Sequence, residues 1–324
     1  MLDLLYSLLA RSRRRYYERR PHLRRRLTAP VISIGNLTVG GSGKTPLTAE
    51  IARMLVALGE RPAILSRGYA RAKPSDGVVI VSDGRSVQTD VAHAGDEPFM
   101  LAGLVPSAAV LVCPSRYLAG RVAESKLGCT VHVLDDGFQH FQLERQIDLL
   151  VTPPEDFVDS RTLPFGRLRE PVEAARAADA LLVPDGDASS LSEMSLRLTV
   201  SPTFSFSRRI DGPETPSRVF AFAGIAKPQQ FFAELERAGW HVVGRRAFHD
   251  HHRYSPDEIG VIASAARQAG ADVLVTTSKD GVRLSEAHRA AAGGLKILQV
   301  PLHISIDPAF QVWLRERLAR ARSA

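Results

Sequence analysis

A run of small residues closed by a lysine and a threonine, Gly40-Gly41-Ser42-Gly43-Lys44-Thr45, is the most specific chemical signal in the chain. Where no Cβ blocks the approach, backbone N–H groups can face an anion. A lysine placed after such a loop reaches the outer phosphates of a nucleotide, and the threonine hydroxyl sits on Mg²⁺. The usual spacing, G-x-x-x-x-G-K-[ST], requires a first glycine at position 38, where Thr38 stands, so the loop is a variant. The competing reading is a plain glycine-rich turn. The place of Lys44-Thr45 after a strand pattern and before a helix pattern weighs against it.

Other groups could serve the same chemistry. Asp135-Asp136 close an apolar run, and an acidic residue at a strand end beside a phosphate loop holds or orients Mg²⁺. D-D-G is also good turn chemistry. Asp96 in G-D-E-P is either a helix N-cap or a carboxylate that takes the proton of an attacking hydroxyl. Arg169 in L-P-F-G-R-L-R-E-P suits a phosphate clamp together with Arg167, and Glu170 is a candidate for the metal shell. Arg67 in S-R-G-Y and Lys279 in T-T-S-K-D-G are further candidates for phosphate or substrate. Lys279 is followed directly by Asp280, so the guanine-reading spacing Lys-x-Asp is absent. Residues 248–254, F-H-D-H-H-R-Y, are dense in groups that bind or shuttle protons. Without C-x-x-C or H-E-x-x-H, they suit a pH-sensitive or phosphate-facing loop better than zinc.

The elements that must hold these groups alternate. Short apolar, β-branched runs predict strands at residues 31–34, 61–65, 108–112, 130–134, 147–151 and 180–183, with a hairpin or edge excursion near residues 78–84. Helical spacing falls between them, at 48–58, about 95–104 and 114–127. Strand–helix alternation implies a mostly parallel sheet flanked by helices, with ligands beyond the carboxyl ends of the strands. The Asp/Gly/Ser stretch at 185–192 weakens the pattern, and residues 201–216 read as a crossover or linker. A second α/β set follows, with strands at 219–222, 241–243, 273–276 and 297–302 and helices at 228–238, 256–268 and 308–321.

Charge is concentrated at one end. The first 26 residues carry nine arginines against Asp3 and Glu18, which accounts for the whole formal net charge of +7 over 324 residues. The neutral remainder argues against a nucleic-acid-binding face. Leu2, Leu4, Leu5, Tyr6, Leu8 and Leu9 precede the arginines, the pattern of an amphipathic helix lying on an anionic membrane surface. A secretory signal has the opposite order, and no run is long enough to span a bilayer. Two cysteines, Cys113 and Cys129, suggest a reducing compartment.

The order of motifs resembles one family across nearly the whole chain. G-N-L-T-V-G-G-S-G-K-T-P, S-R-G-Y, G-D-E-P, L-D-D-G-F-Q-H, L-P-F-G-R-L-R-E-P, F-A-G-I-A-K-P, F-x-D-H-H and T-x-K-D are similar to those of the tetraacyldisaccharide 4′-kinases, the lipid A 4′-kinases of Gram-negative bacteria. The variant phosphate loop is that family's own pattern. The resemblance implies ATP- and Mg²⁺-dependent phosphorylation of the 4′-hydroxyl of an acylated glucosamine disaccharide 1-phosphate, by a peripheral enzyme on the cytoplasmic face of the inner membrane. It implies that Lys44 and Thr45 serve ATP and Mg²⁺. Asp96 is then the catalytic base, paired with His251 as the first histidine after Asp250, and Asp135, Asp136 and Glu170 are metal ligands or groups that support those ligands from behind. The expected domains are a basic membrane-associating helix at 1–26, a P-loop kinase domain at 27–200, a linker at 201–217 and a smaller α/β domain at 218–324 that closes over the site. A GTPase or metal-insertion chaperone using the His cluster, and an ATPase reading nucleic-acid phosphates through the Arg tail, are the alternatives from other classes.

Overall fold

The apolar runs of the first two hundred residues become the strands of one sheet, and all but the edge run at 79–83 are buried on both faces. In this computed structural model, which describes residues 2–40, 43–69 and 71–323, the strands are β1 (Val31–Gly35), β2 (Pro62–Ser66), β3 (Val79–Asp83), β4 (Ala109–Val112), β5 (Val131–Asp135), β6 (Ile147–Val151), β7 (Ala180–Pro184) and β8 (Thr203–Ile210). A second set is β9 (Arg218–Ala223), β10 (His241–Ala247), β11 (Val273–Thr277) and β12 (Lys296–Val300), after which β13 (Leu302–Ile306) rejoins the first. Among the described residues the large sheet has the order β13-β8-β7-β6-β1-β5-β2-β4-β3 and the small one β10-β9-β11-β12. From β8 to β4 the pairs are parallel, and β3 is antiparallel to β4 at the edge.

The first helices are α1 (Leu2–Glu18), α2 (Lys44–Ala57), α3 (Val91–Ala94), α4 (Asp96–Leu104) and α5 (Arg116–Leu127). The apolar face of α2 (Ala49, Ala52) meets Ile64 of β2 and Leu101 and Ala102 of α4. Ala119 and Ala123 of α5 meet Leu65 and Leu111 across the same strands. These side chains are almost wholly buried. At about 25 cal/mol per Å² of apolar surface removed from water, this packing is what holds the strand ends in place.

The chain folds as two compact units, Met1–Ser207 with Ile304–Ala324, and Arg208–His303. Several expectations are corrected here. Residues 201–216 are no plain linker: β8 pairs with β7 and buries Phe204 and Phe206. The Asp/Gly/Ser stretch opens a helix, Ala188–Leu198, capped by Asp187 and seated through Met194 and Leu198. The apolar run at 297–302 is two strands in two sheets, split at Pro301. The last helix, Pro308–Ser323, belongs with the first unit and not, as expected, with the second. The N-terminal helix ends at Glu18 instead of continuing to residue 26.

Candidate active site

The phosphate loop leaves β1 and enters α2. Gly41 and Ser42 lie outside the described residues. Gly43 is the N-cap of α2 at φ 76°, a left-handed conformation that a side chain would make costly. The loop's first half is paired like a strand: Arg169 N donates to Leu37 O and Val39 N to Arg167 O. Thr38, the residue in place of the usual glycine, is buried, and its hydroxyl donates to Asp156 Oδ2 at 2.6 Å while accepting from Asn36 Nδ2 at 2.9 Å. Arg167 holds the other Asp156 oxygen and the Val39 carbonyl. Its guanidinium therefore braces the loop.

The acidic pair faces the lysine. In the β1–β5 register Asp135 lies opposite Ile34, one residue short of the loop. Lys44 Nζ sits 3.5 Å from Asp136 Oδ1 and donates to Asn36 Oδ1 at 2.9 Å. Arg169 donates to both Asp136 oxygens, at 2.8 and 2.9 Å. Burial works to raise the Asp136 carboxyl, but Lys44 and Arg169 outweigh it and hold the group well below the usual carboxylate range. Asp135 goes the other way. Burial, with the charges of Glu97 and Asp136, pushes it up to about 7, against Lys44 and the Thr48 hydroxyl, which donates to it at 3.1 Å. Thr45 stands one helical turn before Thr48 on the face they share.

Asp96 is the first residue of α4, and the N-cap is Gly95, so the capping reading of Asp96 does not hold. Gly95 adopts φ 88°, and a Cβ there would lie 3.4 Å from both the Tyr69 carbonyl and the Arg71 side chain, so G-D-E-P packs on the segment after β2. Glu97, the next residue, is near enough to Asp135 to raise its pKa.

Glu170 is not grouped with the two aspartates as a metal-shell residue. Arg14 of α1 donates to both its oxygens, at 2.7 and 3.0 Å, and Gln139 donates to Oε1 at 3.0 Å. Among the described residues it does not gather with the two aspartates into one ligand group, and in this structure it anchors the ion pair to Arg14.

On the basic side, Arg67 follows β2, Arg116 opens α5 after β4, and His140 follows β5, so adjacent strands bring all three to one edge. Arg116 is buried, and its Nε has no hydrogen-bond partner. Burial and the charge of Arg67 lower its pKa to about 10. Burial and the charges of Arg116, Arg145, Arg13 and Arg67 push His140 down to about 3. Arg145 is paired with Asp148, and Asp135 and Asp136 partly offset Arg116, which leaves Arg67 and the Arg116 Nε as the donors that suit an anion.

In the smaller unit His251 sits at φ 60°. Its Nε2 is 3.2 Å from Lys279 Nζ, its Nδ1 is 3.4 Å from Arg283 Nη2, and its backbone N–H donates to Gly224 O. His252 is instead built into the unit, stacked on Phe248 and bound to His249 and Glu258. Asp280, fully buried, accepts from Gly224 N, Tyr254, Thr277 and Arg283, and Lys279 beside it donates to Asp250 Oδ1, so the T-x-K-D motif staples F-A-G-I-A-K-P to the segment around D-H-H. Burial raises the Asp280 pKa. Four non-glycine residues have positive φ among the described residues, and two are Asp136 and His251. Such strain gathers at functional sites.

Sequence comparison agrees with this geometry. Residues 1–319 match the family described as tetraacyldisaccharide-1-P 4'-kinase. A tetraacyldisaccharide 4'-kinase of Pelobacter propionicus is 40% identical over 321 residues, covering 95% of this chain and 88% of that one. One of Geobacter sulfurreducens is 41% identical over 297 residues, covering 88% and 83%. The chain belongs to the tetraacyldisaccharide-1-P 4'-kinase family. A crystal structure of LpxK from Aquifex aeolicus in complex with ATP superposes with a TM-score of 0.76 at 30% identity, covering 98% of this chain and 97% of that one.

Several residues around the site of this kinase gave no signal in the sequence. Asn36 joins Lys44 to Arg169, Gln139 joins the Asn36 carbonyl to Glu170, and Thr48 reaches Asp135. Asn36 and Gln139 sit inside quoted motifs, so position was the available clue. Their hydrogen bonds span up to 133 residues of chain and exist only once the sheet is formed.

Proposed function

We propose that this kinase transfers the γ-phosphoryl group of ATP to the 4′-hydroxyl of a tetraacyl glucosamine disaccharide 1-phosphate, giving the bis-phosphorylated lipid A precursor. The observation that carries the reading is that Lys44 and Arg169 both reach Asp136 and share the Asn36 side-chain oxygen, beside buried Asp135, where the phosphate loop leaves β1. Phosphoryl transfer depends on positioning and charge neutralisation, and this cluster supplies both.

Asp96 accepts the proton of the 4′-hydroxyl as its oxygen bonds to the γ-phosphorus. The bond from that phosphorus to the β–γ bridging oxygen breaks, and ADP leaves. His251, the first histidine after Asp250, serves the same proton transfer. Lys44 and Arg169 hold the negative phosphate oxygens. Arg67, with Arg116 and His140 beside it, and Lys279 suit anionic groups of the acceptor.

The donor set fits Mg²⁺, which takes one or two carboxylates plus phosphate oxygens. Asp135 is buried among negative neighbours and holds its proton to about pH 7, a site whose ionised form a divalent cation favours. Asp135, Asp136 and the Thr45 hydroxyl would hold the ion. Bound there, it neutralises charge on the phosphates.

Among the described residues no helix is long and apolar enough to cross a membrane. Leu2, Leu4, Leu5, Leu8 and Leu9 of α1 expose 54–66% of their surface, ahead of the arginines. This supports peripheral attachment to an anionic leaflet, the cytoplasmic face of the inner membrane.

The test is incubation of the full chain with γ-labelled ATP and the disaccharide precursor in detergent. Label should enter the lipid, and Asp96→Ala should lower the rate at least a hundredfold while ATP still binds. Near-full turnover by Asp96→Ala removes the base assignment. Nucleotide hydrolysis preferring GTP, with no labelled lipid, overturns the whole reading.

A further inference from the structure

Among the described residues of α1, Arg14 is the one the fold buries, although the helix is otherwise lined with solvated arginines. Its guanidinium lies 4.7 Å from the ring centroid of Phe138 and 4.8 Å from that of Phe141. It also grips Glu170 with two hydrogen bonds. Surface attachment needs none of this, since a helix that only held a membrane would keep all its arginines in water.

The connection continues into the site by two routes. One is covalent: Glu170 follows Arg169, which holds Asp136 and Asn36. The other runs through Gln139, which donates to Glu170 Oε1 at 3.0 Å and to the Asn36 carbonyl at 3.1 Å. Asn36 in turn holds Lys44. Phe138 and Gln139 lie in the same L-D-D-G-F-Q-H segment as Asp136, so Arg14 touches both strands of the connection. Planar forks and packed rings restrict movement more than a single point charge does.

We propose that Arg14 and Glu170 are positioning residues for phosphoryl transfer: the docked amphipathic helix sets, through their fork, the placement of Arg169 and Asn36 around Lys44 and Asp136. This rests on the proposed kinase reading and adds a second task to the helix, distinct from holding the surface. Partners that orient site residues in this way are worth roughly ten- to hundredfold in activity.

The experiment compares the full chain with Arg14→Ala, Glu170→Gln and the double variant. It measures kcat, KM for the acceptor, and sedimentation with phosphatidylglycerol-containing vesicles. The expected result is a kcat lowered roughly ten- to hundredfold in each single variant. Acceptor KM and vesicle binding should stay within about twofold, because the exposed leucines are untouched. The double variant should be no slower than the slower single one, because both changes break the same connection. Wild-type kcat in either variant overturns the inference, as does a loss seen only in acceptor KM or vesicle binding, which would make α1 an anchor alone. If Arg14→Ala does not fold, Glu170→Gln, which keeps the shape and the Gln139 contact, decides by the same criteria. A wild-type chain that labels no acceptor sinks the kinase reading itself and is read separately from any difference between variants.

Discussion

Thr38 shows how one side chain can replace a glycine in a phosphate loop. A methyl-bearing residue fits because its hydroxyl is engaged on both sides, by Asp156 and Asn36. Thr38→Val keeps the shape and leaves Asp156 Oδ2 without that donor. It should lower stability by about 1–3 kcal/mol, read as a shift in urea midpoint, whereas Thr38→Ser should cost less than half as much. Two other residues set opposing pH slopes. Asp135 has its pKa raised to about 7, so between about pH 4 and 7 the folded chain keeps a proton the unfolded chain has lost, and stability falls as pH rises. His140 is held down to about 3, so between that value and about pH 6.5 the unfolded chain binds the extra proton, and stability rises with pH. In the wild type the two largely cancel. Asp135→Asn should therefore leave a stability that climbs from pH 4 to 6.5, and His140→Asn one that declines, by thermal melting without Mg²⁺. Equal slopes in both variants would rule this assignment out. The glycine loop, Lys44 and the D-D pair were legible in the sequence because each needs a residue type at a fixed spacing. Thr48 and Arg116 were not, because their roles depend on which strand becomes whose neighbour.

At the scale of elements, sequence patterns succeeded where burial was two-sided. Apart from the half-buried edge strand β3, the strands from β1 to β7 were legible as apolar runs because helices cover both faces of the sheet. Thr203–Ile210 alternates Phe204 and Phe206 inward, a strand pattern of period two, but its flanking prolines and serines read as a linker. The helix at Ala188–Leu198 was obscured because serine and aspartate favour turns until the Asp187 cap and the burial of Met194 and Leu198 override that preference. Helix α1 was legible as amphipathic, but Arg14 was indistinguishable from its neighbours until tertiary packing selected it. The exposed leucines should carry surface binding. Leu5→Glu or Leu9→Glu is expected to weaken vesicle partition about tenfold or more while leaving the urea midpoint unchanged. Unaltered sedimentation in the paired double variant would remove the helix as the anchor.

On the scale of the whole molecule, the expected boundaries failed at the C-terminus. An amphipathic helix has no address in its sequence, and Phe310, Leu314 and Leu318 find their partners back in the first unit, where Phe310 and Trp313 meet Phe204. The smaller unit keeps its own cores, around Ile259 and Ile262 on one face of its sheet and Phe232 and Leu235 on the other.

The chain departs from the first unit along β8 and comes back along β13, and those two strands are neighbours in one sheet. A detour with adjoining doors is a cassette. Splicing Ser207 to Ile304 through a short glycine bridge should yield a shorter polypeptide that melts in a single transition, still retains ATP and phosphorylates nothing. Failure to retain the nucleotide would mean that the cassette does more than complete the chemistry.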